Sequence, residues 1–360
     1  MSYKIRHLCF RCFRSFEYFD DEPSQNLNII LGANAVGKTN LIEGIQLISM
    51  LESFRNPAWG DVVHWGHDRA HLIAEIQDGL RNDEIMVCFE DGKRFYLHNE
   101  KRKRAGELKG LIPAVLFTPD DLELVKGSAS KRRRAIDQIG AQISQTYYHM
   151  QRDYEKVVLQ RNRLLKRNDI ADEFLLSWTE SLISIGSVFS MHRQNLFGRM
   201  KERFSEVFSK LSSKDSADIE YLPYWKKYNS HSDTPEQTMR ELLQSISLQE
   251  RDQGTTLVGP HRDEIVFLIN GKDARRYGSQ GQQRSLVLAW KITELEVMED
   301  ILNKVPLLLL DDVMSELDEN RRISLLTLLR NHDIQTFITS ANDAYFDKAL
   351  LDTAHVVRLP

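Results

Sequence analysis

The sequence predicts an α/β fold: a parallel sheet with an inserted helical lobe of antiparallel, coiled-coil-like character. Three observations predict it. The apolar run Leu27-Asn28-Ile29-Ile30-Leu31 leads into a glycine-rich turn and a helix opening near Lys38. Far downstream, Leu307-Leu308-Leu309-Leu310 ends in Asp311-Asp312, and four consecutive leucines mark a strand buried on both faces, as in a parallel sheet. Between them lies a long stretch whose apolar residues recur about every 3.5 positions, the period of a seam facing a partner helix.

The elements follow in order. The helix after Lys38 rests on Leu41, Ile45 and Ile48, spaced by four and three. A hairpin is expected over residues 84 to 98, where Ile85, Val87 and Phe89 alternate, Asp91-Gly92 turns, and Phe95 and Leu97 resume. A second hairpin is expected around Asn270-Gly271, joining Ile265 through Ile269 to Ala274 through Tyr277, and is assigned to the same lobe as the first. One continuous helix is expected from Lys131 to Arg167, with Ile136, Gly140, Ile143, Tyr147, Met150, Tyr154, Val157, Arg161 and Leu164 along its seam; at 1.5 Å per residue it is about 55 Å long. A short connection at Arg167-Asn168-Asp169 leads to a second helix whose stripe is Leu175, Trp178, Leu182, Ile185, Phe189, His192 and Leu196. Two such helices make an antiparallel hairpin. Residues 226 to 237 are the expected flexible stretch. The expected division is a head of residues 1–125 with 250–360 and an arm of 126–249.

Composition narrows the class. The 360 residues carry 48 Lys plus Arg against 52 Asp plus Glu, a formal charge of −4, with 41% hydrophobic and 28% charged residues. That excludes both a disordered chain and a disulfide scaffold. Three cysteines, Cys9, Cys12 and Cys88, make no framework of bridges, and Cys9-x-x-Cys12 lacks the second pair that a zinc site needs. No apolar run reaches the ~18 residues of a membrane span, and the first residues lack a signal-peptide core, so a cytoplasmic location with no membrane partner is expected.

The turn Gly32-Ala33-Asn34-Ala35-Val36-Gly37-Lys38-Thr39 has the P-loop pattern. Its glycines let backbone N–H groups point at phosphate oxygens at the positive end of a helix. Lys38 reaches the β and γ phosphates of ATP, and Thr39 with Asp311 holds Mg2+. Asp312 then faces the attacking water. Ser279-Gln280-Gly281-Gln282-Gln283 also carries phosphate-binding chemistry, a hydroxyl at a helix start. Because a chain with a P-loop needs no second site for the same nucleotide, Ser279, Gly281 and Gln282 are expected to close on the ATP of a two-fold partner.

With these motifs in view, the chain resembles the ABC-type head ATPases, the class that includes SMC proteins, and within that class the RecF family of bacterial recombination mediators. The carriers are residues 117–127 (Phe117-Thr118-Pro119-Asp120-Asp121 through Gly127) with Arg132-Arg133-Arg134, then Gly259-Pro260-His261-Arg262-Asp263, and Asp311-Asp312-Val313-Met314-Ser315-Glu316-Leu317-Asp318. The resemblance implies an ATP-dependent homodimer on double-stranded and gapped DNA. It also implies slow hydrolysis that releases the dimer, and promotion of RecA loading at single-strand gaps with RecO and RecR, in DNA replication restart and the SOS response. It places His261 and Arg262 near the nucleotide or the dimer seam; the alternative is hydrogen-bonded loop residues. The chain departs from the family at Phe10 through Ser15, which lacks the Asn residues around the Phe-Arg pair, and in having Asp312 where many ABC ATPases have Glu. It also has Thr339 or Ser340 where a transporter has the switch His.

The near-neutral total hides basic runs. Lys101-Arg102-Lys103-Arg104 follows the first hairpin, Lys131-Arg132-Arg133-Arg134 opens the long helix, and Arg161, Arg163, Lys166 and Arg167 end it. A solvated face is the ordinary explanation of such a run. Beside a dimerising ATPase these runs are expected to meet DNA phosphates without reading sequence, though Arg132 to Arg134 could equally pair with Asp120, Asp121 and Glu123. The rival functions are a transporter's ATPase subunit, a small-molecule kinase, and an ATP-gated clamp that does not hydrolyse.

Overall fold

In the computed structural model the runs at 27–31 and 307–310 become strands of one parallel sheet. The structure describes residues 3–55, 57–79, 81–167, 172–212, 214–228, 234–331 and 333–360. Strands are numbered in chain order. The parallel sheet comprises β3 (Leu27–Leu31), β8 (Ala114–Phe117), β12 (Leu307–Leu310), β13 (Thr336–Ser340) and β14 (His355–Arg358), ordered β14-β3-β13-β12-β8. All four leucines of β12 are buried, as a central strand requires.

A second, antiparallel sheet contains β1 (Lys4–Phe13), β2 (Phe16–Asp21), β4 (Arg69–Asp78), β5 (Arg81–Glu90), β6 (Lys93–His98) and β7 (Lys101–Lys103), ordered β2-β1-β4-β5-β6-β7. The expected hairpin over 84–98 is its β5-β6 pair, with Asp91 at φ 49° and Gly92 at φ 68° in the turn. The helix Lys38–Ser49 buries Leu41, Ile42, Ile45 and Ile48 in one core with Phe10, Leu72 and Val87 of the antiparallel sheet and Leu309 and Phe337 of the parallel one. That packing fixes the helix, and with it the turn that precedes it.

Residues Met1–Asp121 with Lys291–Pro360 form one compact unit, and Leu122–Trp290 form another. The segment 250–290, expected in the head, therefore belongs to the second unit. The reason is a strand not expected from the sequence: β9 (Ala217–Leu222) pairs with β10 (Glu264–Ile269), and β11 (Lys272–Asp273) completes a three-stranded sheet. The two hairpins thus lie in different sheets and different units. The turn at Asn270 (φ 50°) and Gly271 (φ 75°) is as expected, but β11 is only two residues long. Asp273 accepts the Arg275 N–H, so Ala274–Tyr277 is a helical turn instead of a strand.

In the second unit the expected helix 131–167 is two helices, Ala129–Ile143 and Gln145–Leu165. Ser144 breaks it in extended conformation (φ −149°, ψ 120°), and its hydroxyl accepts the Tyr147 N–H, an N-cap. The seam spacing runs through this break, because residues of both helices face one core. Gly140 leaves room for the second helix's ring: a Cβ there would lie 2.5 Å from the Tyr147 ring. The next helix spans Asp172–Leu211, and its stripe buries Leu182, Phe189 and Leu196. His192 of that stripe is exposed, and Arg193 takes the buried place. The connection at Asn168-Asp169 lies outside the described residues, as do residues 229–233 of the stretch expected to be flexible; Pro235–Ser245 is a helix capped by Thr234.

An 18-residue window within Glu173–Leu211 has a mean hydropathy of 1.3, which by length and composition alone suits a membrane span, and a third of that window is buried. Tyr147, Tyr154 and Met239 of its neighbours share its cluster, and Arg193 at its middle pairs with Asp137 and Asp263.

Candidate nucleotide site

The turn after β3 holds two residues in left-handed conformation, Ala35 (φ 69°) and Gly37 (φ 107°), a backbone curl that turns successive N–H groups toward one point. A side chain at Gly37 would be strained, since φ 107° is rarely adopted by L residues and a Cβ would sit 2.5 Å from Ser15 Oγ. Lys38 is buried and bends back, its Nζ donating to the carbonyls of Gly32 and Ala33, each at 2.7 Å. A phosphate would give that ammonium a charged acceptor, and charge-assisted hydrogen bonds are about twice as strong as neutral ones.

Sheet order brings the acid to the hydroxyl. Strand β13 lies beside β12, so Thr339 near its carboxyl end comes next to Asp311. Thr39 Oγ1 donates to Asp311 Oδ1 at 3.1 Å, and Thr339 Oγ1 donates to the same oxygen at 2.8 Å. Thr339 Oγ1 in turn accepts the Asp312 N–H at 2.9 Å. Burial pushes the Asp311 carboxyl above its ordinary value against the pull of the two threonine hydroxyls. Asp312 is in left-handed conformation (φ 51°) at the start of the turn Val313–Glu316 and is partly exposed. Asp318 caps the helix Glu319–Asn331 by accepting the Arg321 N–H at 3.0 Å.

One feature of the site was not read from the sequence. Glu43, one turn into the P-loop helix, is wholly buried, yet it is an acid on an apolar face. Arg14 grips it through Nε (3.0 Å) and Nη2 (2.8 Å), Ser53 Oγ donates at 2.6 Å, and Arg55 Nη1 approaches at 3.3 Å. Arg55 also donates to Asn40, which donates to Ser15 Oγ at 2.9 Å, so the network reaches the contact with Gly37. The signal was the acid itself, because a buried carboxylate needs paired cations.

Lys38, Thr39, Asp311 and Asp312 belong to the first unit; Ser279, Gly281 and Gln282 belong to the second. There Ser279 Oγ accepts the Gln282 N–H (3.2 Å) and Gln282 Oε1 accepts the Ser279 N–H (2.8 Å), a capping box opening the helix Gln280–Leu302. Gln282 Nε2 also donates to Asp215. Ser279 is exposed.

The basic runs divide. Lys101, Arg102 and Arg104 are exposed on or beside the edge strand β7, where Arg102 stacks over Phe95 and Lys103 pairs with Glu107. Arg132 is buried, pairs with Glu264 through Nε (2.9 Å) and Nη2 (3.1 Å) and donates to the Gly127 carbonyl, so it is no surface for DNA. Its acid is Glu264, not Asp120, Asp121 or Glu123. Arg161 is likewise buried against Glu250 at 2.6 Å. His261 has both ring nitrogens engaged: Nδ1 accepts from Tyr154 Oη (2.6 Å), and Nε2 donates to the Thr256 carbonyl (3.0 Å). Burial pushes its pKa down to about 3. Arg262 donates to the same carbonyl at 2.7 Å, so both are hydrogen-bonded loop residues of the second unit.

A P-loop and a strand-end acid across a central strand, on a parallel sheet backed by an antiparallel one, define an ABC-type head ATPase. The fold agrees: a solved SMC head domain with an extended coiled coil, from Pyrococcus furiosus, superposes with a TM-score of 0.56 over 99% of this chain and 93% of that one, at 16% identity. The model described as "RecF/RecN/SMC N terminal domain" matches residues 4–359. The DNA replication and repair protein RecF of Geotalea uraniireducens is 33% identical over 341 residues, 94% of this chain and 93% of that protein. The solved recombination mediator protein RecF-ATPrS in the RecFOR pathway superposes with a TM-score of 0.89 at 29% identity, over 96% of this chain and 94% of that one. The chain belongs to the RecF family.

Proposed function

We propose that this chain is an ATP-dependent DNA-binding protein of recombinational repair whose nucleotide switches it between states. ATP joins two copies on double-stranded and gapped DNA, and slow hydrolysis to ADP and phosphate releases them. In that cycle the protein promotes RecA loading at single-strand gaps together with RecO and RecR, serving replication restart and the SOS response. The carrying observation is the cluster of Lys38, Thr39, Thr339 and Asp311 in the first unit.

In this reading Lys38 and the backbone of Gly32 to Gly37 bind the phosphates. The Thr39 hydroxyl and the Asp311 carboxylate are hard oxygen donors already 3.1 Å apart, a donor set that suits Mg2+. Bound there, the ion would neutralise charge on the β and γ phosphates. Asp312, its backbone held by Thr339, orients the attacking water. Ser279, Gly281 and Gln282 of one copy close on the nucleotide of the other, where the exposed Ser279 hydroxyl and the helix start offer donors. Exposed Lys101, Arg102, Arg104, Lys131 and Arg134 neutralise DNA phosphates without reading sequence.

Sedimentation with ATP, ADP or no nucleotide, each with and without a gapped duplex, tests the core of this reading. Dimers that form only with ATP and remain on DNA are expected in the parent, and Lys38→Ala is expected to abolish them. One unchanged mass in all conditions would remove it.

A further inference from the structure

The run Lys131 to Arg134 divides three ways. Lys131 is exposed and 3.8 Å from Glu123, and Arg132 is buried against Glu264. Arg133 and Arg134 instead line one groove of about 400 Å³ between the helices Ala129–Ile143 and Gln145–Leu165, whose walls include Tyr154, Arg193 and His261.

Arg133 is half-buried, and its Nη1 donates to the Asp263 carbonyl at 2.7 Å. The carboxylates around it are engaged elsewhere. Asp263 accepts from Arg193 at 3.1 Å, from Tyr221 Oη, and from the Tyr224 N–H at 2.9 Å. Asp137 holds Arg193 through both oxygens at 2.8 Å and accepts from Tyr147 at 2.6 Å, while Glu264 holds Arg132 through both of its own. Burial, and then the nearby Arg193, push the Arg133 guanidinium below its ordinary value. A cation taken partly out of water beside other cations favours an anion that will share its donors. The groove is lined by three guanidinium groups against two carboxylates, Asp137 and Glu155. Glu155 is exposed, accepts from Gln151 Nε2 at 2.9 Å, and opposes any anion that enters.

We infer that this groove seats one phosphate group, with the half-buried Arg133 at its back and the exposed Arg134 at its mouth. The phosphate is a diester of the DNA backbone or a free phosphate. The first source rests on the DNA-binding reading above, and the seat itself does not.

Both substitutions that test it are at exposed positions, so folding is preserved. Binding of a labelled duplex to the full chain with ATP is followed by fluorescence anisotropy over a KCl series. Arg134→Gln is expected to weaken binding about three- to tenfold and to lower the slope of log K against log salt by about 0.9, one phosphate contact. Glu155→Gln is expected to tighten binding by a similar factor. Equal affinity and slope in the parent and both variants would overturn a backbone phosphate at this seat. If the parent binds no duplex, it is the DNA-binding reading that fails. The seat is then judged by calorimetric titration of inorganic phosphate into the Lys38→Ala chain, which silences the P-loop. Heat that Arg134→Gln removes identifies free phosphate as the source, and no heat overturns the seat.

Discussion

Thr39 and Asp311, 272 residues apart in the chain, meet through one hydrogen bond of 3.1 Å from the threonine hydroxyl to the carboxylate. Thr339 donates to the same oxygen from β13. The pair places a hydroxyl and a buried carboxylate side by side at the carboxyl edge of the parallel sheet, where a doubly wound sheet binds its ligand. It also makes this part of the site sensitive to either residue.

Asp311→Asn keeps the shape and removes the charge. Phosphate release with ATP and magnesium is expected to fall at least about a hundredfold, as for loss of a strong electrostatic contact to the reacting phosphates. Burial raises the Asp311 pKa and so disfavours the charged form, and the nucleotide-free variant is therefore expected to melt no lower than the parent. A lower melting temperature in the variant would show the carboxylate to be structural.

Asp312→Asn is expected to separate binding from hydrolysis. Phosphate release should drop by about ten- to a thousandfold, the range for loss of a general base or of a group that orients water. ATP-dependent dimers should persist in sedimentation. Undiminished release would remove Asp312 from the water-positioning role.

Arg161 and Glu250 form an ion pair buried on both sides at 2.6 Å, with Thr179 accepting from Nε and Thr256 from Nη1. Glu250→Ala leaves the guanidinium buried without its partner and is expected to cost about 3–5 kcal/mol in urea unfolding. The double variant Arg161→Met with Glu250→Leu is expected to recover most of that loss. A double variant as unstable as the single one would mean that the pair's hydrogen bonds, not its desolvated charge, stabilise the unit.

His261 has an ordinary pKa of 6.5 and is pushed down to about 3 by burial, with Arg262, Arg133 and Arg193 adding to the effect. The folded state therefore favours the neutral ring. Its contribution to stability is complete above pH 6.5 and is lost as pH falls toward 3, while the unfolded chain takes up the proton first. Over that window the parent is expected to lose up to about 1.4 kcal/mol per pH unit more than His261→Gln. Parallel slopes from urea melts of the two proteins would show that His261 is not the titrating group.

Much of the candidate nucleotide site was legible because its pattern is local. Gly32, Gly37, Lys38 and Thr39 fall within one turn of the chain, and Asp311 is marked by the leucines before it. The helical stripe was legible too, although Ser144 divides it, because heptad spacing reports a shared core and not an unbroken helix. The antiparallel sheet was read at only one hairpin, and β9 was missed. β9 is short although Ala217, Ile219 and Tyr221 alternate with acids, and its pairing with β10 joins segments far apart in sequence, where no turn chemistry announces a partner. The arginine-rich runs were the least legible. Charge along the chain does not say which guanidinium meets solvent: Arg161 stood both on the seam and in a basic run, Arg132 was open to a DNA or a pairing role, and both are buried.

By itself, then, the sequence determined the parallel sheet, the turn of P-loop pattern, the acid at the end of β12 and the helical insertion, since each is written in the spacing of neighbouring residues. Tertiary structure decided which distant groups share a proton or a charge. It set Thr39 and Thr339 on one oxygen of Asp311, Arg14 and Arg55 on Glu43, Glu264 on Arg132, and Arg193 between Asp137 and Asp263. The physical reason is desolvation. A charge taken out of water must find its counter-charge wherever the fold supplies one, and strand order and helix packing, not nearness in the chain, determine where that is.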